Sequence, residues 1–487
     1  MKRIKAADVV FLDVEQPNTP LIIGGVFILD PATAPDSFVR HRDILRYVEG
    51  RLHLAPNLRR KLVFNPLSVD EPRLINDPAF DLEFHVRHLG LPKPRDRRQF
   101  NILCGRLMSR PMDIHRPLWE LYIIEGLENV EGCPPDAFAI LIRLHHAGFD
   151  GAAAHAAIWA LTQRAPDEEP PQPDDEWAPE RNPDALDWLS SSITEGLKQT
   201  FTNFSRLPGF GFRVAKGLMA AKPWTGSLPV PLTRFQNHPS SHRVFDWVTF
   251  SQAEARQVRE ALGMPKMNDL VLTIIAGALR MYLGEKGELP GQPLIALCPI
   301  NVRGHGDPAA GGNEVALMRV PIFTDIEDPL ERLKAIGSAT GQGKETARTL
   351  GETFIGDFLS LYPYAMRSWA MRSATGMTGN GRALMPKVAN LLVTNIPNST
   401  AGHFIAGSRV LSYAGFGPVV EGIGLFHAVS GMDWELSISA TCTREMMPDI
   451  AHYMACLRHS YDELKTLADR ALEGARPQRK TASVKTG

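Results

Sequence analysis

Residues 165–184 read APDEEPPQPDDEWAPERNPD, a stretch with too little apolar character to run through a folded core. Six acidic residues fall between Asp167 and Glu176, among many prolines. Such a segment buries too little apolar surface to offset the entropy of ordering it. It therefore divides the 487 residues into two folding units, each near the usual size of a domain, on the order of 100–200 residues. The expected division is a first domain over 1–164, a linker and crossover over 165–240, and a second domain over 241–474. The polar, basic residues 475–487 (ARPQRKTASVKTG) form a tail expected to be disordered.

Both units alternate strand-like and helical patterns. Residues 20–29 (PLIIGGVFIL) and 137–144 (AFAILIRL) are short apolar runs rich in β-formers, and 151–163 (GAAAHAAIWALTQ) reads as a helix. After the linker, Asn268 is placed to cap a helix over 269–284, and 293–302 and 315–323 read as strands. Asp328 opens a helical stretch, 389–396 and 434–440 are further strands, and 447–474 is a long helix. The class is α/β, with two mixed α/β domains. The apolar residues around Tyr364, including Met366, Trp369 and Met371, match no motif and read as core.

Between the two domains, Leu186, Leu189, Ile193, Leu197, Phe201 and Phe204 fall three or four apart and give one apolar helix face. A basic, aromatic stretch follows, from Arg206 through Phe210, Phe212, Arg213 and Lys216 to Lys222 and Trp224. Two readings stay open: a helical crossover packed on the domains, or contact with a membrane surface or lipid droplet.

Composition removes several classes. A net charge of −1 leaves no basic footprint for nucleic acid. The five cysteines (Cys104, Cys133, Cys298, Cys442, Cys456) are scattered with no C-x-x-C pair, so neither a disulfide framework nor a metal site is expected, and a cytoplasmic location fits. The N-terminus runs MKRIK into Asp8, Asp13 and Glu15 without the apolar core of a signal peptide. No apolar run approaches the ~18 residues of a membrane span, so any contact with lipid is peripheral. Neither a G-x-S-x-G elbow, a P-loop nor a G-x-G-x-x-G turn opening a helix is present.

The segment that carries chemistry is His145-His146-Ala147-Gly148-Phe149-Asp150-Gly151, between the apolar run 137–144 and the Ala-rich helix. Successive side chains on a strand point to opposite faces, so the two histidines cannot both face one cavity. Gly148 and Gly151 permit a tight turn. Asp150 falls at the first turn of the helix, where a carboxylate is favoured by the dipole and can accept backbone N–H groups.

This string resembles the H-H-x-x-x-D-G signature of the coenzyme A-dependent acyltransferase superfamily. Other blocks make the chain similar to the bacterial wax ester synthase/diacylglycerol acyltransferase family: Pro117-Leu118-Trp119-Glu120, Asn268-Asp269, Gly312-Asn313 before Val320-Pro321, and Thr394-Asn395-Ile396-Pro397. Residues 7–30 share the likeness, which covers all but linker and tail. Two positions depart from the pattern: Asn398-Ser399 follow the late block in place of Gly-Pro, and Gly148 stands where a larger apolar residue is expected.

The resemblance implies two domains of the chloramphenicol acetyltransferase kind joined by a helical crossover. It implies transfer of a long-chain acyl group from acyl-CoA to a fatty alcohol or diacylglycerol, with acyl-CoA as substrate and no cofactor. It makes His146 the general base, His145 a supporting residue, and Asp150 an organiser of the turn paired with an arginine, for which Arg303 is the nearest candidate. Gly151, Trp119, Asn268, Asp269 and Asn313 are the expected supporting or substrate-binding positions. Asn268 is open between an oxyanion donor and a plain helix cap, Trp119 is open to being a core aromatic, and Asn313 to being a turn residue. Acylation of a soluble alcohol, a carrier-bound acyl donor, and a non-catalytic acyl-binding scaffold remain alternatives.

Overall fold

The computed structural model describes residues 2–66, 70–172, 177–184, 186–188, 229–264, 266–301, 315–350, 364–376, 387–396 and 403–475. Arg303, Asn313, Pro397 and its two successors, the apolar and basic crossover from Leu189 through Trp224, and the tail after 475 lie outside them. The first half contains β1 (Lys2–Arg3), α1 (Ala6–Val14), β2 (Ile22–Asp30), α2 (His41–Glu49), β3 (Arg60–Val63), β4 (Arg73–Asn76), α3 (Leu82–His85), β5 (Val86–Gly90), α4 (Arg97–Met108), β6 (Trp119–Glu125), β7 (Phe138–His145) and α5 (Gly151–Ala160). The second contains β8 (Arg243–Ser251), α6 (Gln252–Ala261), α7 (Met267–Glu285), β9 (Ile295–Asn301), β10 (Val315–Pro321), α8 (Pro329–Leu350) and α9 (Tyr364–Gly376). It continues with β11 (Leu391–Asn395), β12 (Phe404–Ile405), β13 (Ser408–Phe416), β14 (Phe426–Gly431), β15 (Glu435–Thr443) and α10 (Ile450–Ala475).

β7 shows why the first half folds as it does. Every residue of FAILIRLH is buried, because the strand sits inside its sheet between β2 and β6 and is covered on both faces. Its one charge, Arg143, is accommodated by Glu120 directly opposite on β6, with Nη1 2.5 Å from Oε2. Arg87 and the Tyr122 hydroxyl complete that buried network at 3.2 and 2.7 Å from Glu120. A lone buried charge here would be strongly destabilising.

Two six-stranded sheets organise the molecule, β12-β13-β2-β7-β6-β5 and β10-β9-β11-β14-β15-β8, beside a small sheet β1-β4-β3. Both large sheets are mixed, with β5–β6, β9–β11 and β11–β14 parallel. Two mixed α/β halves is therefore the architecture, as the patterns implied. The halves exchange chain, however: β13 pairs with β2 from Phe416↔Gly24 to Arg409↔Asp30, so a strand from the second half completes the first half's sheet. Residues 1–164 and 241–474 remain the proposed domains, with 404–416 lent from one to the other.

Three local expectations change. α7 starts at Met267 with Lys266 in the N-cap position, so Asn268 lies inside the first turn and does not cap it. The run at Tyr364–Met371 is amphipathic and not wholly core: Tyr364 is buried, while Met366 and Trp369 are 50% and 71% exposed. α9 buries its other face against α1, where Ser368 donates to Asp13 at 2.5 Å, and against the segment before β4, where Arg367 pairs with Glu71 at 3.1 Å. The acidic Pro-rich segment is exposed over much of its described length but is held to the fold at its end. The Glu180 N–H donates to the Asn76 carbonyl and its carboxylate accepts the Asn76 N–H, Trp177 lies under Arg59, and Trp188 is buried under Arg73.

Candidate active site

β7 delivers the histidines to the sheet's end. His145 is its last residue and pairs with Ile22, and the His146 N–H donates to the Leu21 carbonyl at 3.0 Å, carrying the ladder one step further. The turn closes when the N–H groups of Gly148 and Phe149 both donate to the His145 carbonyl, at 3.0 and 3.2 Å. Asn57 donates to the Gly148 carbonyl at 3.0 Å, and Asp150 then starts α5. A Cβ on Gly148 would lie 3.0 Å from the Leu118 side chain, so Leu118 occupies the space a larger residue would take.

His145 is fully buried and both ring nitrogens are engaged. Nδ1 accepts the Ala147 N–H at 3.1 Å, so the ring proton sits on Nε2, which donates to Glu15 at 3.1 Å. The other oxygen of Glu15 accepts the Leu21 N–H at 2.9 Å. Glu15 thus fixes both His145 and the backbone that holds His146.

His146 has a different environment. Its ring stacks on Phe11 of α1, centroids 3.8 Å apart and planes 20° off parallel, and its buried Nδ1 has no hydrogen-bond partner among the described residues. Burial pushes its pKa down to about 4. Its own backbone carbonyl and Asp150 pull the other way, but too weakly to prevail. That depression is a preference of roughly 3 kcal/mol for the neutral ring.

Asp150 is the N-cap of α5. Its Oδ1 accepts the Ala153 N–H at 2.8 Å, and its Oδ2 lies 3.5 Å from Lys5 Nζ. It is only half-buried, and a described cation beside it is Lys5; Arg303, the arginine expected as its partner, lies outside the described residues. Asp8 shares this corner, and burial, reinforced by Asp150, raises its carboxyl to about 6.

The remaining expected positions spread out. Gly151 opens α5, exposed, with nothing within 4 Å of where a Cβ would stand. Trp119 is fully buried, donates to the Leu58 carbonyl at 2.7 Å, and stacks on His85 at 4.7 Å, so it lies in the core next to β7. Asp269 is buried and accepts from Thr340 at 2.8 Å, tying α7 to α8. Asn268 is half-buried one residue earlier. What sequence reasoning missed is α1 and the loop after it: Lys5, Phe11, Glu15 and Leu21 all touch the motif. Their signal was acidic residues in a short, mostly apolar helix, taken only as evidence against a signal peptide.

A cleft of ≈ 240 Å³ is lined by Phe64, Asn65, Asp70, Ile114, His115, Tyr364 and Arg372. Arg372 also bonds Asp13 at 3.1 Å, on the helix that carries Phe11, while His146 is not in its lining. No described helix is long and apolar enough to cross a membrane.

Comparison with known proteins agrees with this geometry. Residues 4–271 match the wax ester synthase/diacylglycerol acyltransferase catalytic domain, and residues 311–465 match the C-terminal domain of the same proteins. A Mycobacterium tuberculosis H37Rv protein named as a diacylglycerol O-acyltransferase is 26% identical over 98% of this chain and 93% of its own length. A Mycobacterium bovis protein of the same name is 26% identical over 96% of this chain and 100% of its own. The solved wax ester synthase/diacylglycerol acyltransferase from Marinobacter aquaeolei VT8 superposes with a TM-score of 0.65 at 20% identity, covering 96% of this chain and 100% of that one. A starter condensation domain of rhizomide synthetase, solved with C8-CoA, superposes with a TM-score of 0.53 at 15% identity over 96% and 95% of the two chains. With both halves matched in chain order and the histidine motif seated at the end of β7, this chain belongs to the wax ester synthase/diacylglycerol acyltransferase family.

Proposed function

We propose that His146 is the general base of an acyl-CoA-dependent O-acyl transfer to a long-chain alcohol or a diacylglycerol. The reaction class, acyl transfer giving wax ester or triacylglycerol, follows from family membership. The observation that carries the residue assignment is the contrast between the histidines: His145 has no free nitrogen, whereas burial favours the neutral form of His146 and its Nδ1 has no partner among the described residues.

Nδ1 of His146 is enclosed, so Nε2 is assigned the proton transfer. It takes the hydroxyl proton as the alcohol oxygen attacks the thioester carbonyl, forming the C–O bond and a tetrahedral oxyanion. Collapse of that intermediate breaks the C–S bond, and the imidazolium returns its proton to the departing thiolate of coenzyme A. Asp150 acts through the turn it caps and Glu15 through His145. Asn268, in the first turn of α7, is the proposed donor to the oxyanion. Arg303 and Asn313 stay proposed supports of the same site.

Peripheral lipid contact is the second part of the proposal, since both products are water-insoluble. Supporting it are the exposed Trp369 and Met366 on α9 and the aromatic, basic composition of 206–224. Vesicle co-sedimentation of a W369A, F210A, F212A, W224A variant should fall; unchanged partitioning removes this part.

The test of the main reading is incubation with palmitoyl-CoA and either hexadecanol or a diacylglycerol, following thiol release and product together. H146A should lower turnover on the order of 10²- to 10⁴-fold with its circular dichroism unchanged. Wild-type protein that releases thiol with neither alcohol would point instead to a soluble acceptor or a carrier-bound donor.

A further inference from the structure

We propose that Glu285, His452 and Cys456 form a binding site for a single transition-metal ion, with zinc the preferred species, where the end of α7 meets the start of α10. The three side chains come from two helices. Glu285 is the last residue of α7, while His452 and Cys456 stand four apart near the start of α10, so they project from one face of that helix. Their ligand atoms all lie within 4.8 Å of one another.

The distances suit an ion with little rearrangement. Ligands at the usual zinc bond lengths, roughly 2.0–2.3 Å, stand about 3.3–3.7 Å apart around a tetrahedral centre. Cys456 Sγ is 3.8 Å from His452 Nε2, so that pair is already spaced for it. His452 Nε2 and Glu285 Oε2 are 2.5 Å apart, a hydrogen bond that must open by about an ångström. Both side chains are nearly half exposed, so they can swing and an ion can enter from solvent. Helical spacing sets the thiol beside the imidazole, and the packing of α7 on α10 brings the carboxylate to the same nitrogen.

Donor chemistry selects the ion. A thiolate, an imidazole and a carboxylate together suit zinc, whereas calcium and magnesium take oxygen ligands. The local field also favours a cation. The carboxylates of Glu285 and Asp449 lie close enough to Cys456 to act on its thiol. Lys286, a competing cation, is held by Asp449 at 2.7 Å. Three protein ligands leave a fourth position for water. The span of α7 from Asn268 to Glu285, about 25 Å at 1.5 Å per residue, keeps this ion away from acyl transfer. Its part is to join the C-terminal end of α7 to the first turns of α10. The cysteine count did not announce such a site because its ligands are 167 and 4 residues apart and meet only through helix packing.

The experiment titrates cobalt into the full-length, metal-stripped protein and reads the thiolate-to-cobalt charge-transfer band, with zinc competing. One cobalt per chain with that band is expected, together with its loss in C456S. Affinity should weaken on the order of a hundredfold in H452A. E285Q lies at an exposed position and should fold whatever happens in the other two; it should weaken binding by about tenfold or more. Zinc should raise the melting temperature of the wild type and not of C456S. Absence of the band in wild-type protein, a band that persists in C456S, or unchanged affinity in both H452A and E285Q would overturn the proposal.

Discussion

At the scale of single residues the two histidines divide sharply. His145 spends both nitrogens on Ala147 and Glu15, and His146 is left to titrate in a buried site. Because burial holds the His146 pKa near 4, the folded protein binds fewer protons there than the unfolded chain between about pH 4 and 6.5. The neutral base is therefore present throughout that window, while the stability contributed by burying it falls as pH drops through it. The acid limb of kcat/KM should lie below pH 5.5, roughly a unit or more under an ordinary histidine. A limb at 6.5 would show that the ring is solvated in the working enzyme. Gly151 makes a second test. No atom stands near its missing Cβ, so G151A should leave stability unchanged or raise it by about 0.5–1 kcal/mol. A loss of kcat/KM without loss of melting temperature would mean that the open space is used by substrate; unchanged kinetics would make the glycine dispensable.

At the scale of elements, α1 is the piece that turns a motif into a site. Phe11 stacks on His146, Lys5 faces Asp150, and Glu15 just beyond the helix holds His145. α1 is itself fixed from the other side by α9, through Asp13 to Ser368 and Arg372. D13A removes the shared acceptor of that contact and should cost about 1–3 kcal/mol, read as a lowered melting temperature. Turnover should fall with it, because Phe11 loses its backing. Full activity at unchanged stability would mean that α1 is held by other contacts. Much of this level was legible in outline. The strands at 20–29 and 137–144 were visible as short apolar runs rich in β-formers, and the helix at 151–163 as an alanine-rich run. The role of α1 was not, since Asp13 and its partner Ser368 are 355 residues apart.

At the scale of the whole molecule, the halves are joined by more than the linker. β13 enters the first half's sheet beside β2, and α4 packs on β8 so closely that a Cβ on Gly105 would meet the Arg243 carbonyl. Arg97 of α4 lies 3.5 Å over the Trp247 ring and 2.8 Å from the buried Asp246. R97A leaves that carboxylate without its cation across the joint. A destabilisation of about 2–3 kcal/mol is expected, somewhat less than for a fully buried pair because Arg97 is partly exposed. Denaturant titration would read it, and a midpoint within error of wild type would show that the joint depends on β13 alone.

By itself the sequence determined the class and, through its likeness to a known family, the reaction. Both rest on local pattern: an acidic, proline-rich break, short apolar runs, and motif blocks in a fixed chain order. Tertiary structure decided what pattern cannot carry. It showed that α1 and Glu15 hold the histidines, that Lys5 lies beside Asp150, that α9 packs on α1 with Trp369 outward, and that a strand from the second half completes the first. Each of these is a contact between distant parts of the chain. Such contacts are chosen by which buried polar groups can satisfy one another in the folded whole, and that choice leaves no periodic trace along the chain.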